Sequence, residues 1–499
     1  MSLLSNLANE ARIAAWSVAD YVTGSGLRLG VTGLSRSGKT VFITALVHHL
    51  QRLASETASS GQRSFPVFRV HAEGRLTRAF LDPQPDDAVP RFAYEDHLAD
   101  LTGGDKGPDA RIWPQSTRRI SELRIVLEFE RREGWRKGPA SLALDIVDYP
   151  GEWLLDLPLL AKDYKQWSRE TLEASATAGR AHLAAEWRGF LGSLDPQAKA
   201  SEDTARKAAE LFTAYLRACR DDRYALSTLP PGRFLLPGDM EGSPALTFAP
   251  LPVTESTVIA SGSLAAMMER RYEAYKSHVV RPFFRDHFAR LDRQIVLVDT
   301  LSALNSGPAA VRDLETAMTD VMTAFRAGRS SLLSTIFRPR IDRILFAATK
   351  ADHLHHTSHD RLEAILDLLV ERAIKRAEAV GAKVDIIALA AVRATREAAV
   401  RHNGENLQAI VGIPMRGETV DGEVFDGQTE AAIFPGELPA DPKRVFRGDG
   451  LAQPEADADW RFARFRPPLI GPAVDGKPAP LPHIRMDRAL EFLLGDKMI

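Results

Sequence analysis

A three-layer α/β fold with a mostly parallel sheet is the architecture that the sequence predicts. Short apolar runs typical of buried strands lie at 27–32, 141–147, 294–299, 341–349 and 384–389. Segments with the three-to-four spacing of amphipathic helices lie between several of these runs, and such alternation is typical of parallel sheets. A glycine-rich turn between the first strand and the first of these helices completes the pattern.

The core of this fold is assigned to residues 27–154 and 293–400. A long loop insertion, rich in Pro, Gly and Asp, interrupts it at about 63–115 and is expected to contain short strands or ordered loop. Residues 123–130 alternate apolar with mainly charged side chains, which predicts a half-exposed strand. Ahead of the core, residues 1–26 are predicted to form an amphipathic helix that ends in a glycine-rich stop.

Two further segments are predicted outside the core. Residues 155–292 are rich in Ala, Glu, Arg and Leu and poor in strand formers, which predicts a helical insertion domain. Residues 401–499 are rich in Gly and Pro and carry hairpin signals such as Asp421-Gly422. They are predicted to form a small C-terminal extension that contains β structure and ends in a helix at 487–494.

Composition excludes several classes of protein. With 499 residues, 44% of them hydrophobic and 26% charged, the chain is typical of globular proteins with more than one compact unit. The net charge of −2 gives no electrostatic reason to expect a nucleic-acid partner. The single cysteine, Cys219, excludes a disulfide within the chain. No apolar run spans a membrane and no signal peptide is recognisable, so we expect a cytoplasmic location.

The glycine-rich turn is a complete phosphate-binding motif. Residues 33–40 match G-x-x-x-x-G-K-[ST], with the strand before and the helix after it that this motif requires. Its backbone N–H groups surround a phosphate at the positive end of the helix. Lys39 is expected to reach the β- and γ-phosphates, and the Thr40 hydroxyl to bind Mg²⁺. The residues assigned to nucleotide binding here are Gly33, Ser35, Arg36, Ser37, Gly38, Lys39, Thr40 and Val41.

A second motif predicts which base is bound. Thr349-Lys350-Ala351-Asp352 is a [NT]-K-x-D sequence that follows a predicted strand. The Asp352 carboxylate is suited to accept the N1 proton and amino hydrogens of guanine, whereas adenine offers an acceptor at that ring nitrogen. Lys350 is expected to lie along the base plane, and Thr349 belongs to the same site. Ala390 and Ala391, after the strand at 384–389, are expected to contact the guanine carbonyl through their backbone.

Two nucleotide-sensing segments are predicted on the other side of the phosphates. Asp148-Tyr149-Pro150-Gly151 is a D-x-x-G sequence, in which Asp148 is expected to hold the Mg²⁺ shell and Gly151 N–H to contact the γ-phosphate. Asp145 is an alternative Mg²⁺ ligand. The candidate switch threonine, a further metal ligand, is Thr117, and Ser116 beside it competes for the same role.

The order of these motifs resembles a Ras-type GTPase core, and the chain is similar to the YcjX-like family of bacterial P-loop proteins. This resemblance spans nearly the whole chain and rests on residues 33–40, 113–117, 148–153, 293–299, 349–352 and 485–490. It implies a P-loop core with a helical insertion, Mg²⁺ as cofactor, and GTP and GDP as substrate and product. The family carries both ATPase and GTPase labels. It is associated with a predicted membrane protein and with stress responses, which implies a protein effector and a peripheral position at the inner membrane.

Two residues depart from the Ras pattern. Glu152 follows Gly151, where Ras-type enzymes have a water-orienting glutamine; a carboxylate either accepts a hydrogen bond from the attacking water or repels the γ-phosphate. Arg36 lies inside the phosphate loop and either supplies positive charge to the phosphates or pairs with a surface carboxylate. The candidate catalytic residues are therefore Lys39, Thr117, Gly151, Glu152 and Arg36.

A histidine cluster follows the T-K-A-D motif. His353, His355, His356 and His359 lie in a predicted loop. A metal site needs about three convergent nitrogens or carboxylates. Solvated loop histidines are therefore expected here rather than a metal site.

The function that these motifs predict is GTP binding with slow Mg²⁺-dependent hydrolysis, which switches the segments around Thr117 and 148–153. One alternative is a mechanochemical or chaperone-like ATPase that ignores Asp352. Another is a nucleotide-bound scaffold with negligible turnover, whose helical insertion docks a partner. Competition between GTP and ATP separates the first two, and multiple-turnover phosphate release separates both from the third.

Overall fold

A seven-stranded sheet forms the centre of the described structure, with the strand order β2-β3-β4-β1-β5-β6-β7. Its strands are β1 (Gly26–Gly33), β2 (Leu76–Asp82), β3 (Ser121–Arg131), β4 (Gly138–Asp148), β5 (Arg293–Val298), β6 (Arg343–Ala348) and β7 (Lys383–Ala388). The pairs β4–β1, β1–β5, β5–β6 and β6–β7 are parallel, whereas β2–β3 and β3–β4 are antiparallel. The predicted α/β class with a mostly parallel sheet is therefore confirmed.

This computed structural model describes residues 26–34, 36–54, 64–132, 137–221, 224–324, 341–379, 381–402, 405–420, 422–447, 462–471 and 479–499. The predicted N-terminal helix lies outside the described residues. So do Ser35 of the phosphate loop and Asp421 of the hairpin signal.

Helices cover both faces of the sheet. They are α1 (Lys39–Leu53), α2 (Arg69–Ala72), α3 (Tyr94–Thr102), α4 (Tyr164–Ser175), α5 (Ala185–Gly192), α6 (Glu202–Arg220), α7 (Gly232–Leu235), α8 (Leu264–Tyr275), α9 (Arg281–Asp286), α10 (Thr300–Asn305), α11 (Pro308–Ala324), α12 (His359–Glu378), α13 (Lys443–Arg447) and α14 (Met486–Leu494). On one face, α1 and the terminal helix α14 share a buried apolar cluster with β1, β3 and β4. On the other face, α6, α8, α11 and α12 share a cluster with β5 and β6.

The segment between β4 and β5 is largely helical and its apolar side chains join the core on the second face of the sheet. The helix that begins at Leu264 in this segment is interrupted: α8 ends at Tyr275, a π-helical turn occupies Lys276–Val280, and α9 follows. Pro282 in the first turn of α9 has no N–H to donate to the preceding turn, which accounts for the local change in helix type. The boundaries 155–292 and 401–499 stay predictions.

The insertion at 63–115 is not a simple loop. It contains α2, α3 and the edge strand β2, whose mixed burial reflects a position with only one neighbour, β3. The C-terminal part of the chain adds a small antiparallel sheet of β8 (Arg396–His402), β9 (Glu405–Gly412) and β12 (Ala431–Ile433), and a two-stranded pair of β10 (Thr419–Val420) and β11 (Glu423–Val424). Among the described residues, no helix combines the length and apolar character needed to cross a membrane.

Candidate functional site

The carboxyl ends of the parallel strands open into a cavity of about 510 Å³. Four predicted segments share this cavity: the phosphate loop, the pair 116–117, the [NT]-K-x-D motif and the small-residue turn. The residues of these segments that line it are Arg36, Ser37, Gly38, Lys39, Thr40, Val41, Ser116, Thr117, Thr349, Lys350, Asp352, Ala390 and Ala391. Ligands of open α/β sheets bind outside the carboxyl ends of the strands. Motifs that are up to about 350 residues apart in sequence are thus brought to one site.

The phosphate loop connects β1 to α1 with left-handed backbone at two positions. Gly38, the residue that precedes α1, has φ 85°, and Arg36 has φ 65°. These conformations direct the loop around a space in front of the helix N-terminus, where backbone N–H groups favour an anion. Lys39 is buried, and its Nζ donates a hydrogen bond of 2.8 Å to the carbonyl of Gly33 across the loop.

Three oxygen-bearing side chains meet beside this loop. The Thr40 hydroxyl lies 3.3 Å from the Thr117 hydroxyl, which donates a 2.5 Å hydrogen bond to Oδ2 of Asp148. Thr40 also donates to the carbonyl of Gln115 at 3.2 Å. Thr117 therefore contacts both Thr40 and Asp148, and both Ser116 and Thr117 line the cavity.

Asp148 has an environment that suits a cation ligand. Its side chain is buried, and Oδ1 accepts no hydrogen bond from the residues that the structure describes. Burial raises the pKa of Asp148 to about 6, opposed by the charge of Lys39 and the Thr117 hydrogen bond. A buried carboxylate oxygen without a partner, next to two hydroxyls, is a donor set that fits Mg²⁺. Asp145 is different, because both of its oxygens are bound by Arg124 at 2.6 and 2.8 Å.

The D-x-x-G segment packs tightly against the phosphate loop. A Cβ atom at Gly151 would lie 1.8 Å from the carbonyl oxygen of Gly33, so only glycine allows this approach. The next residue, Glu152, is buried and forms an ion pair of 2.8 Å with Arg220 at the end of α6. The helical segment between β4 and β5 thus supplies the cation that pairs with Glu152.

Arg36 lies between the main cavity and a smaller one of about 70 Å³. Glu152 and Arg220 line the smaller cavity, and Arg36, Ser37 and Asp299 line both. Burial lowers the pKa of the Arg36 guanidinium, and the positive charges of Arg220 and Arg464 lower it further. Positive charge is therefore concentrated on this side of the phosphate loop.

The base side of the cavity is formed by the T-K-A-D segment. Asp352 is buried, and its Oδ2 accepts a 2.7 Å hydrogen bond from Ala394 N–H, which fixes the carboxylate orientation. Burial raises the pKa of Asp352 to about 6. Lys350 has φ 60° and pairs with Asp299 at the end of β5. Asp299 also caps α10 by accepting a 3.1 Å hydrogen bond from Ser302 N–H.

The two alanines of the small-residue turn differ in their backbone contacts. Ala390 N–H donates to the carbonyl of Ile484 at 3.2 Å, in a reciprocal bridge to the C-terminal part of the chain. This bond occupies the donor that the sequence assigned to the guanine carbonyl. Ala391 also lines the cavity, and its backbone contact with the base stays a prediction.

The C-terminal part of the chain forms a wall of the cavity that sequence reasoning missed. Met415, Glu418, Phe462, Arg464 and Phe465 all line it. Trp113 Nε1 donates to the Phe465 carbonyl at 2.7 Å, which ties this wall to the segment that carries Thr117. The Phe465 ring lies 5.4 Å from that of His353, beside Asp352. The available signal was the alternation of aromatic and basic residues at 460–466.

Comparison with known proteins identifies the family. The model of the YcjX-like family, DUF463, matches residues 27–498. The chain is 40% identical over 481 residues to "Ras-like GTPase YcjX" of Escherichia coli K12, covering 95% of this chain and 96% of the relative. It is 35% identical over 485 residues to "Ras-like GTPase YcjX" of Shewanella oneidensis, covering 95% and 94%. The chain therefore belongs to the YcjX-like family, as the resemblance of its motifs implied.

Proposed function

We propose that this protein is a GTP-binding protein that hydrolyses GTP slowly in the presence of Mg²⁺. The observation that carries this proposal is the convergence of the phosphate loop and Asp352 on one cavity. A phosphate loop alone does not select a base, whereas a fixed carboxylate in the same cavity favours guanine. The names of the two relatives, both called Ras-like GTPase, support the same assignment.

The proposed roles follow from position. Lys39 and the loop backbone bind the β- and γ-phosphates, Thr40, Thr117 and Asp148 hold Mg²⁺, and Asp352 reads the base. Mg²⁺, when bound, neutralises charge that develops on the phosphates. Gly151, which packs against Gly33, is proposed to contact the γ-phosphate, and Glu152, which lines the smaller cavity with Arg36 and Arg220, is proposed to act beside it. Hydrolysis would then release the contacts of Thr117 and Gly151, which gives the protein two states.

Competition binding tests the choice of base. The protein is freed of nucleotide, loaded with a fluorescent GDP analogue, and titrated with GTP or ATP in the presence of Mg²⁺. We expect GTP to displace the analogue at concentrations at least about a hundredfold below those of ATP, because ATP cannot pair with Asp352. Equal displacement by both nucleotides would refute the guanine assignment and favour an ATPase.

The substitution Asp352→Asn should weaken GTP and GDP binding about ten- to a hundredfold, because it removes a charge-assisted contact worth about 1.5–3 kcal/mol. The amide oxygen can still accept from Ala394 N–H, so the fold should be retained. Xanthosine triphosphate, which offers an acceptor at the replaced contact, should bind better than in the wild type. Nucleotide affinities measured by calorimetry check both shifts.

Asp360→Asn is the matched control, since Asp360 is exposed and lies only eight residues further on, in α12. It should leave both affinities unchanged. An Asp352→Asn variant that binds GTP as the wild type does would place the guanine contact elsewhere.

Magnesium binding should weaken as the pH falls through about 6. The pKa of Asp148 is raised to about 6, and only the ionised form is a ligand. The sign for stability is opposite: the folded-state pKa lies above the unfolded one, so protonation between pH 6 and 4 stabilises the nucleotide-free protein through this group. The dependence of GTP affinity on Mg²⁺ concentration, measured between pH 5 and 8, checks the first effect, and thermal unfolding checks the second.

The Asp148→Asn variant separates Asp148 from Asp352, whose pKa is also raised to about 6. In this variant Mg²⁺ should strengthen GTP binding little at any pH. GDP binding measured without Mg²⁺ depends on Asp352 and not on Asp148, so its pH dependence should be the same as in the wild type. A wild-type Mg²⁺ effect that stays constant from pH 5 to 8 would contradict the assignment of Asp148.

A further inference from the structure

Two histidines and a glutamate converge beside the base-recognition segment. His356 Nδ1 lies 2.7 Å and His355 Nε2 lies 3.6 Å from the same oxygen, Oε2 of Glu397. Ligand atoms of all three residues lie within 4.8 Å of one another. The histidines lie in the turn between Asp352 and α12, and Glu397 is the second residue of β8.

Neighbouring groups orient this set of donors. His355 Nδ1 contacts the Thr357 hydroxyl at 3.0 Å, which leaves Nε2 to face Glu397. The other oxygen of Glu397, Oε1, accepts from His356 N–H at 3.2 Å and lies 3.4 Å from Arg393. One carboxylate oxygen is thus held by the protein and the other is turned towards two imidazoles. Residues that bind a metal are usually oriented by such hydrogen bonds to neighbouring groups.

We propose that His355, His356 and Glu397 bind a divalent transition metal of the zinc class. Ligands at about 2.0–2.1 Å from a tetrahedral ion are about 3.3 Å apart, and the two observed separations bracket this value. Two imidazoles and one carboxylate suit Zn²⁺ or Co²⁺, whereas Mg²⁺ and Ca²⁺ prefer oxygen donors. His356 is exposed, so the ion can enter from solvent and water can complete its coordination.

The metal would stabilise the segment that orients the Asp352 carboxylate, which is proposed to bind the guanine base. Ala394 N–H binds Oδ2 of Asp352, and the Thr395 hydroxyl binds its backbone carbonyl. Glu397 lies two residues further along the same segment. The histidine turn follows Asp352 in the chain, and Glu397 follows Ala394 and Thr395. An ion bound by both therefore links the two segments whose contact orients Asp352. This consequence rests on the proposed function, whereas metal binding itself does not.

The experiment uses the full chain, stripped of metal by a chelator and free of nucleotide. Titration with Co²⁺ should give intense visible absorption typical of tetrahedral coordination with nitrogen ligands, saturating at one equivalent, and Zn²⁺ should abolish it. His355→Ala and Glu397→Gln should each weaken Zn²⁺ binding, measured by calorimetry, at least about tenfold. His278→Ala, which removes an exposed histidine from the π-helical turn, is the matched control and should not change it.

Wild-type protein without a saturable Co²⁺ spectrum overturns the proposal, and so does Zn²⁺ affinity that is equal in wild type, His355→Ala and Glu397→Gln. Circular dichroism and thermal unfolding exclude loss of fold as the cause of a weaker variant. GDP affinity with and without Zn²⁺ then measures the coupling, which should be lost in His355→Ala. Metal binding by a protein that binds no guanine nucleotide would support the metal site and refute only the proposed function.

Discussion

The substitution Lys39→Ala is expected to weaken GTP binding by about a hundredfold or more. Lys39 is buried, and its Nζ donates a hydrogen bond to the Gly33 carbonyl across the phosphate loop. Truncation of one partner of a buried charge-assisted contact costs about 2–5 kcal/mol, and about 3 kcal/mol corresponds to a hundredfold. Its charge also lowers the pKa of Asp148, so its loss should weaken Mg²⁺ binding at neutral pH as well.

Calorimetry with GTP, GDP and Mg²⁺ measures these effects. Lys383→Ala is the matched control, because Lys383 is an exposed lysine at the amino end of the edge strand β7, whereas the phosphate loop follows the carboxyl end of the central strand β1. It should bind GTP as the wild type does. A folded Lys39→Ala variant with unchanged GTP affinity would refute the phosphate-loop assignment.

The sequence was most informative where the signal is local. Six of the seven strands of the main sheet lie within a few residues of their predicted positions, because buried strands are short apolar runs bounded by turn residues. The phosphate loop and the T-K-A-D segment could be recognised because their chemistry depends on fixed spacing. The edge strand β2 could not be located within the stretch where short strands were expected, since its side chains are only partly buried and show no clear alternation.

Contacts between distant segments could not be predicted. Phe465 is 352 residues from Trp113, and the aromatic and basic residues at 460–466 do not by themselves show that this segment reaches the cavity. The same holds for Glu397, which turns a histidine pair into a set of three converging ligands. Local spacing can identify a loop but does not show which other segment of the chain reaches it.

Arg220 is the most consequential of these distant contacts. From the sequence, a carboxylate at 152 next to the γ-phosphate looks unfavourable unless a cation offsets its charge. The structure places that cation in the chain itself, at the end of α6 and 2.8 Å from Glu152. An arginine supplied in cis to the phosphates of a GTPase is a known way to raise turnover. Arg220 is therefore proposed to position Glu152 and to neutralise it during hydrolysis.

Removing this cation should slow GTP hydrolysis more than any other change outside the phosphate loop and the metal ligands. We expect wild-type turnover of the order of minutes or slower, as in unassisted GTPases. Arg220→Ala should lower kcat about ten- to a hundredfold, because Glu152 then faces the γ-phosphate as an uncompensated buried charge. GDP affinity should hardly change, since GDP lacks the γ-phosphate. Arg217→Ala, an exposed arginine one turn earlier in α6, is the control.

A double-mutant cycle with Glu152→Gln tests whether Arg220 acts on hydrolysis through Glu152. In the Glu152→Gln background no charge remains to be neutralised, so Arg220→Ala should cost much less, and single-turnover phosphate release measures the difference. An equal cost in both backgrounds would show that Arg220 acts independently of Glu152. The rate of Glu152→Gln alone gives the sign of the carboxylate's effect: a rise indicates residual repulsion and a fall indicates that Glu152 orients water. If Glu152→Gln hydrolyses GTP at the wild-type rate, Glu152 lies away from the γ-phosphate and the position proposed for the segment 148–153 is wrong.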